Sequence, residues 1–110
     1  MIFHENVMIF ANAFIGYKAE IHSGCIIDAC YIAHHAIIME CSDILPNAVV
    51  CGNAYIGQCT TLYPSSTVIN RISIGNNCTI GAGTTILKDV KDGLICSQKP
   101  NYYYLPKILS

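Results

Sequence analysis

The chain has no tryptophan, and charged residues make up only 12% of its 110 positions. Six Lys+Arg against seven Asp+Glu leave a formal charge of −1, and the basic residues are scattered. A nucleic-acid partner needs a clustered basic face, so none is expected. There is also no apolar run near the roughly 18 residues that would cross a bilayer, although 53% of the chain is hydrophobic and its mean hydropathy is +0.43. No membrane partner is expected. Met1-Ile-Phe-His-Glu lacks the basic start and continuous apolar core of a signal peptide. No Cys-x-x-Cys occurs, and the seven cysteines are an odd number. That argues against a disulfide scaffold and for reduced cysteines serving as small apolar residues in a cytoplasmic protein. Such a composition fits one domain with a well-buried interior.

What the chain has instead is a beat of six. Ile38, Ile44, Val50, Ile56, Leu62, Val68, Ile74, Ile80 and Ile86 are evenly spaced. Four residues after each comes a side chain that is usually small: Ser42, Ala48, Ala54, Thr60, Ser66, Cys78 and Thr84, with Ile72 and Val90 as larger members. A helix repeats its apolar positions about every 3.6 residues and a simple strand every second one, so neither fits. A hexapeptide period belongs to β-helices, where short strands bury their apolar side by stacking coil on coil. With three hexads to a turn, residues about 18 apart lie one above the other, roughly 4.8 Å apart. The beat runs back through Phe3, Ile9, Ile15, Ile21 and Ile27, with Val7, Ala13, Ala19, Cys25 and Tyr31 accompanying. One residue is then missing before Ile38, in a hexad beginning at either Ile21 or Ile27, and Ile32 joins the downstream register.

These hexads predict an all-β fold, a parallel β-helix over residues 1–90, followed at 91–110 by a tail without repeats. The tail carries Tyr102, Tyr103 and Tyr104 with Leu105, Ile108 and Leu109. It is too apolar for a free end and is expected to cap the last coil, whose strand edges would otherwise be open. Ile26, Ile37, Val49, Tyr55 and Ile69 are expected on the flat outer faces. Outward apolar residues on a small protein predict a partner surface, and a homotrimer would bury them.

The run Ile74-Gly-Asn-Asn-Cys-Thr-Ile-Gly-Ala-Gly-Thr-Thr-Ile-Leu-Lys-Asp-Val90, with Ile56-Gly-Gln-Cys-Thr-Thr61 before it, resembles the last coils of hexapeptide-repeat acyltransferases. From Ile32 to Val90 the chain looks most like bacterial acetyltransferases of sialic acids or nucleotide-linked amino sugars. Three features carry the likeness: His34 four residues before Ile38, Gly52 a further 18 residues on, and the Ile80-Gly-Ala-Gly83 turn. The resemblance implies a left-handed β-helix, usually trimeric, with acetyl-CoA as co-substrate in the cleft between prisms. It also implies an amino or hydroxyl group of a sugar or related small molecule as acceptor. The hexads begin almost at Met1, without the N-terminal α/β domain that holds the acceptor in those enzymes.

Acetyl transfer from a thioester needs a base for the proton of the attacking group and a donor for the developing oxyanion. By resemblance His34 is the base and Gly52 the backbone donor, and coil geometry separately stacks position 52 on position 34. His35 competes for the role of base. It also stands where the family has an acidic residue that orients the imidazole, and Asp43 stands where the family has a second histidine. Asp43 is therefore a candidate partner for a protonated His34. For the cofactor the resemblance points to Gly52, Gly81, Ala82 and Gly83, and Lys88 and Lys99 are candidate solvated cations for CoA phosphates. Pro100 is what remains of a family Gly-x-Pro-Ala segment that here reads Gln98-Lys99-Pro100-Asn101.

Two other readings are a catalytically silent trimeric scaffold and a zinc hydratase of the γ-carbonic anhydrase type. The hydratase needs three converging histidines, commonly two of them five apart, and His34-His35 does not supply that spacing. No metal is expected, and His4 and His22 are read as surface residues.

Overall fold

The computed structural model describes residues 1–98. Every regular element among them is a two-residue strand, and the strands lie parallel on three faces of a left-handed prism. The first face holds β1 (Ile2–Phe3), β4 (Glu20–Ile21), β7 (Ile37–Ile38), β10 (Tyr55–Ile56) and β13 (Ser73–Ile74). The second holds β2 (Met8–Ile9), β5 (Ile26–Ile27), β8 (Asp43–Ile44), β11 (Thr61–Leu62), β14 (Thr79–Ile80) and β16 (Ile95–Cys96). The third holds β3 (Phe14–Ile15), β6 (Tyr31–Ile32), β9 (Val49–Val50), β12 (Thr67–Val68) and β15 (Thr85–Ile86).

Each strand turns its second residue inward. Ile21, Ile27, Ile32, Ile38, Ile44, Val50, Ile56, Leu62, Val68, Ile74 and Ile80 are all fully buried, in a single column of β-branched and leucine side chains. Most hexads close the corner behind this column with a small side chain, and Val7 and Ile72 take the same place as larger ones packed partly buried against the core. The residue just before that small one takes a positive φ at nearly every corner, among them Asn6, Asn12, Asn47, Asn53, Asn77 and Gly83. Asparagine and glycine accept this left-handed conformation most readily. Lys18, His35, Cys41, Cys59 and Arg71 occupy it as well, and each carries a backbone cost there. The residue before the left-handed one uses its own N–H only exceptionally, so Pro46 and Pro64 fit this position without losing a hydrogen bond.

The missing residue lies between Ile27 and Ile32. Strand pairing runs 18 apart for Ile9 with Ile27, drops to 17 for Ile15 with Ile32, Ile21 with Ile38 and Ile27 with Ile44, and returns to 18 at Ile32 with Val50. The shortened corner, Asp28-Ala29-Cys30, brings Cys30 into the small slot at 3% exposure and turns Tyr31 outward at 46%. The expectation of Tyr31 in that slot is corrected accordingly, since removing one corner residue advances the small position by one. A second shortening follows Ile86: Val90 bridges Ile74 instead of closing the hexad of Ile86. Cys96 then pairs with Ile80 on the second face, so coil-like winding continues past residue 90. The tyrosine tail and Pro100 lie outside the described residues.

Ile26, Ile37, Val49, Tyr55 and Ile69 are half-buried, on the outer surface of the prism. The inward residues of the first described coil are the least covered of their columns. Phe3 and Ile9 are each 44% exposed.

Candidate active site

The corner between the third and first faces stacks Tyr17, His34, Gly52 and Asn70 in successive coils, because β6, β9 and β12 deliver the chain to the same corner each time. Asn53 N–H donates to the His34 carbonyl at 3.0 Å and Arg71 N–H to the Gly52 carbonyl at 3.0 Å, which fixes the rise between coils. The imidazole of His34 lies against the bare Cα of Gly52. A Cβ at position 52 would stand 2.6 Å from both Nε2 and Cε1 of His34. Gly52 is not among the residues with positive φ. Its glycine is thus required by the ring beside it, not by backbone conformation.

Two further features define the site. His34 Nδ1 and His35 Nδ1 are 3.2 Å apart, with the rings nearly perpendicular at 83°. His35 is held in turn by Tyr17, edge-on at 5.8 Å between ring centroids, and its N–H donates to the Tyr17 carbonyl at 2.9 Å. The N–H of Gly52, at a corner position where this group is seldom used, donates no hydrogen bond among the described residues. One corner therefore offers an imidazole with Nδ1 engaged and Nε2 beside an unused backbone donor.

Tyr17 has no place in the sequence reading. It lies 17 residues before His34, and an offset of 18 misses it because the shortened corner intervenes.

Asp43 is on a different side of the prism. It points outward from β8 on the second face, paired with Ile26 and Thr61, and makes no contact with His34 within the chain. Gly81, Ala82 and Gly83 form the corner between the second and third faces, with Gly83 at a φ of 69° and open space around it. They are on another edge from His34 and Gly52. Lys88 is on the His34 edge in the last coil, three coils or about 14 Å along it. There it lines a hollow of about 360 Å³ with Leu87, Val90 and Leu94. A groove of about 370 Å³ adjoins His35, bounded by Met1, Ile2, Lys18, Glu20 and Ile37.

The buried thiols of Cys25 and Cys30 are poor nucleophiles. Burial pushes the Cys25 thiol up, and pushes Cys30 up to about 11.

Residues 53–88 match the bacterial transferase hexapeptide family (six repeats). No curated protein sequence matches the chain. Solved structures share its fold. The acetyltransferase domain of PglB from Neisseria gonorrhoeae superposes with a TM-score of 0.86 at 24% identity, over 90% of this chain and 49% of that one. It has also been solved in complex with acetyl coenzyme A. Perosamine N-acetyltransferase from Caulobacter crescentus, in complex with CoA and GDP-perosamine, gives 0.59 at 14% identity over 89% and 54%. A maltose O-acetyltransferase from Clostridium difficile gives 0.54 at 20% identity over 89% and 62%. The chain spans about half the length of the first two. The hexapeptide β-helix is what they have in common with it.

Proposed function

We propose that this hexapeptide-repeat β-helix is an acyltransferase that moves an acetyl group from acetyl-CoA to an amino or hydroxyl group of a sugar or related small molecule. The observation that carries this reading is the His34 ring resting in the space that Gly52 leaves, with Nδ1 taken by His35. In the active tautomer His34 Nδ1–H donates to the lone pair of His35 Nδ1, which leaves the Nε2 lone pair free as base. His35 thereby does the orienting work of a carboxylate, without its charge. As the acceptor attacks the thioester carbonyl, its proton passes to His34 Nε2 and the oxyanion takes a hydrogen bond from Gly52 N–H. Collapse of the tetrahedral intermediate breaks the carbon–sulfur bond, and the departing thiolate receives the proton back from His34.

The groove beside His35 suits the acceptor, since it combines apolar walls at Ile2 and Ile37 with one cation and one carboxylate at Lys18 and Glu20. Lys88, further along the His34 edge, suits the phosphates of CoA as a solvated cation. Gly81 to Gly83 sit on another edge, so they reach a cofactor at His34 only if a neighbouring prism supplies them. This, with the half-buried apolar outer residues, supports a homotrimer. The acetyltransferase folds of the solved relatives support the reaction class.

The test is titration of acetyl-CoA by calorimetry, followed by a thiol-release assay with amino sugars and neutral sugars. We expect binding by the wild type and by His34→Ala, with turnover at least about 100-fold lower in the variant. Absence of binding at millimolar acetyl-CoA would overturn the proposal.

A further inference from the structure

On the corner between the first and second faces, a second set of histidines stacks where the proposed transfer chemistry has no use for it. His4 and His22 are 18 residues apart in adjacent coils, and their rings stack at 4.2 Å between centroids, 11° from parallel. Glu20, pointing outward from β4, places Oε1 3.7 Å from His4 Nε2 and Oε2 3.2 Å from His22 Nε2. The three side chains' ligand atoms lie within 4.8 Å of one another. From the coil above, Glu40 Oε1 stands 3.3 Å from His22 Nδ1, while its Oε2 accepts from Gln58 Nε2 at 2.9 Å.

The arrangement has an electrostatic requirement. If His22 donates Nδ1–H to Glu40, its Nε2 carries a lone pair that faces a carboxylate oxygen of Glu20. Two lone pairs at that distance repel unless a positive charge lies between them. Glu40 is placed as the outer carboxylate that fixes the tautomer of a metal-binding imidazole. His4, His22 and Glu20 offer two nitrogens and one oxygen within 4.8 Å of one another, and rotation of the exposed His4 ring out of the stack would aim both nitrogens at one point.

We propose that His4, His22 and Glu20 bind a divalent transition metal of borderline softness, with Zn²⁺ the best match, as a clamp joining the first coil to the second. Two imidazoles and a carboxylate suit this class, and a fourth position stays open to water. Tetrahedral ligands at 2.0–2.1 Å from zinc are about 3.3 Å apart. The present spread of up to 4.8 Å closes by side-chain rotation, for which the exposed His4 has room. The clamp would act on a coil whose inward residues Phe3 and Ile9 are each 44% exposed. This inference is independent of the acetyl transfer proposed above.

The test must set aside the exposed thiols of Cys41 and Cys59, which share this corner. Zn²⁺ is titrated by calorimetry into the full chain carrying Cys41→Ser and Cys59→Ser, and Co²⁺ spectra report whether thiolate is coordinated. We expect one site per chain with no thiolate-to-cobalt band. Affinity should fall at least 10-fold in His22→Ala and in His4→Ala, and about 10-fold in Glu40→Gln. Limited proteolysis should show the first coil protected by Zn²⁺ in the parent and not in His22→Ala. Circular dichroism without metal verifies that each variant folds. Binding that vanishes with the two cysteines, binding indifferent to His22→Ala, or a cluster held by a proton alone with no uptake of Zn²⁺ would each overturn the proposal.

Discussion

His35 carries two burdens at one position. Its backbone sits at a φ of 58°, where a side chain with a Cβ costs about 1 kcal/mol relative to glycine, and its ring is the hydrogen-bonding neighbour of His34. The same left-handed turn recurs at nearly every corner, so the backbone cost belongs to the coil and only the ring belongs to the site. His35→Gly should therefore raise stability by about 1 kcal/mol in chemical denaturation while lowering turnover, and His35→Asp should restore part of the turnover by supplying the acceptor for His34 Nδ1–H. A His35→Gly variant with wild-type turnover would remove His35 from the account. Much of this site was legible in the sequence: the offset of 18 joins His34 to Gly52 with no structure in hand. Tyr17 was hidden because the coil between it and His34 is one residue short. The imidazole pairing was hidden because sequence spacing says nothing about where a ring turns.

At the scale of the hexad, the buried polar residues divide into two kinds. Ser42, Thr60 and Cys78 stack inside one corner. Ser42 Oγ donates to the Gly57 carbonyl at 2.7 Å, Thr60 Oγ1 to the Gly75 carbonyl at 2.7 Å and Cys78 Sγ to the Lys91 carbonyl at 3.1 Å. The N–H of Thr60 donates to Ser42 Oγ and that of Cys78 to Thr60 Oγ1, both at 3.2 Å. This is a ladder in which each hydroxyl serves the coil above. Ser66 Oγ, fully buried on another corner, has no partner among the described residues. Thr60→Val strands a carbonyl and an N–H, so it should cost about 1–3 kcal/mol of unfolding free energy, whereas Ser66→Ala should be neutral or stabilising. Equal losses for the two would contradict the ladder. The small slot itself is readable from the sequence, but which of its polar members are satisfied depends on which corner they close.

A thiol in this slot also links stability to pH. Burial holds Cys30 up to about 11 against an ordinary value of 9.0. A group whose folded pKa lies above its unfolded one contributes stability that is present below the unfolded value and lost as pH rises. The melting temperature should thus fall between about pH 9 and pH 11, and Cys30→Ala should flatten that part of the profile. An unchanged alkaline slope in the variant would show that other groups set it.

At the scale of the whole molecule, the hexads foretell a three-faced prism, the outward residues and the single slip. The slip's position needed the strand pairing, since Ile21 and Ile27 both end hexads of plausible sequence. The second shortening, where Val90 steps onto Ile74, escaped because Val90 also satisfies the spacing of a small-slot residue. The prism keeps two separate histidine stacks on two edges, one at Gly52 and one at Glu20, and only in the first does an imidazole rest against a bare glycine Cα.

That contact is tested by Gly52→Ala, assayed for both stability and acetyl transfer. The added methyl meets only the end of the His34 side chain, so the imidazole can swing aside and the coil stays intact. The pairing of His34 with Gly52 predicts a melting temperature within a few degrees of wild type, with acetyl-CoA turnover reduced at least about 100-fold. A variant that folds normally and transfers acetyl groups at the wild-type rate would contradict it.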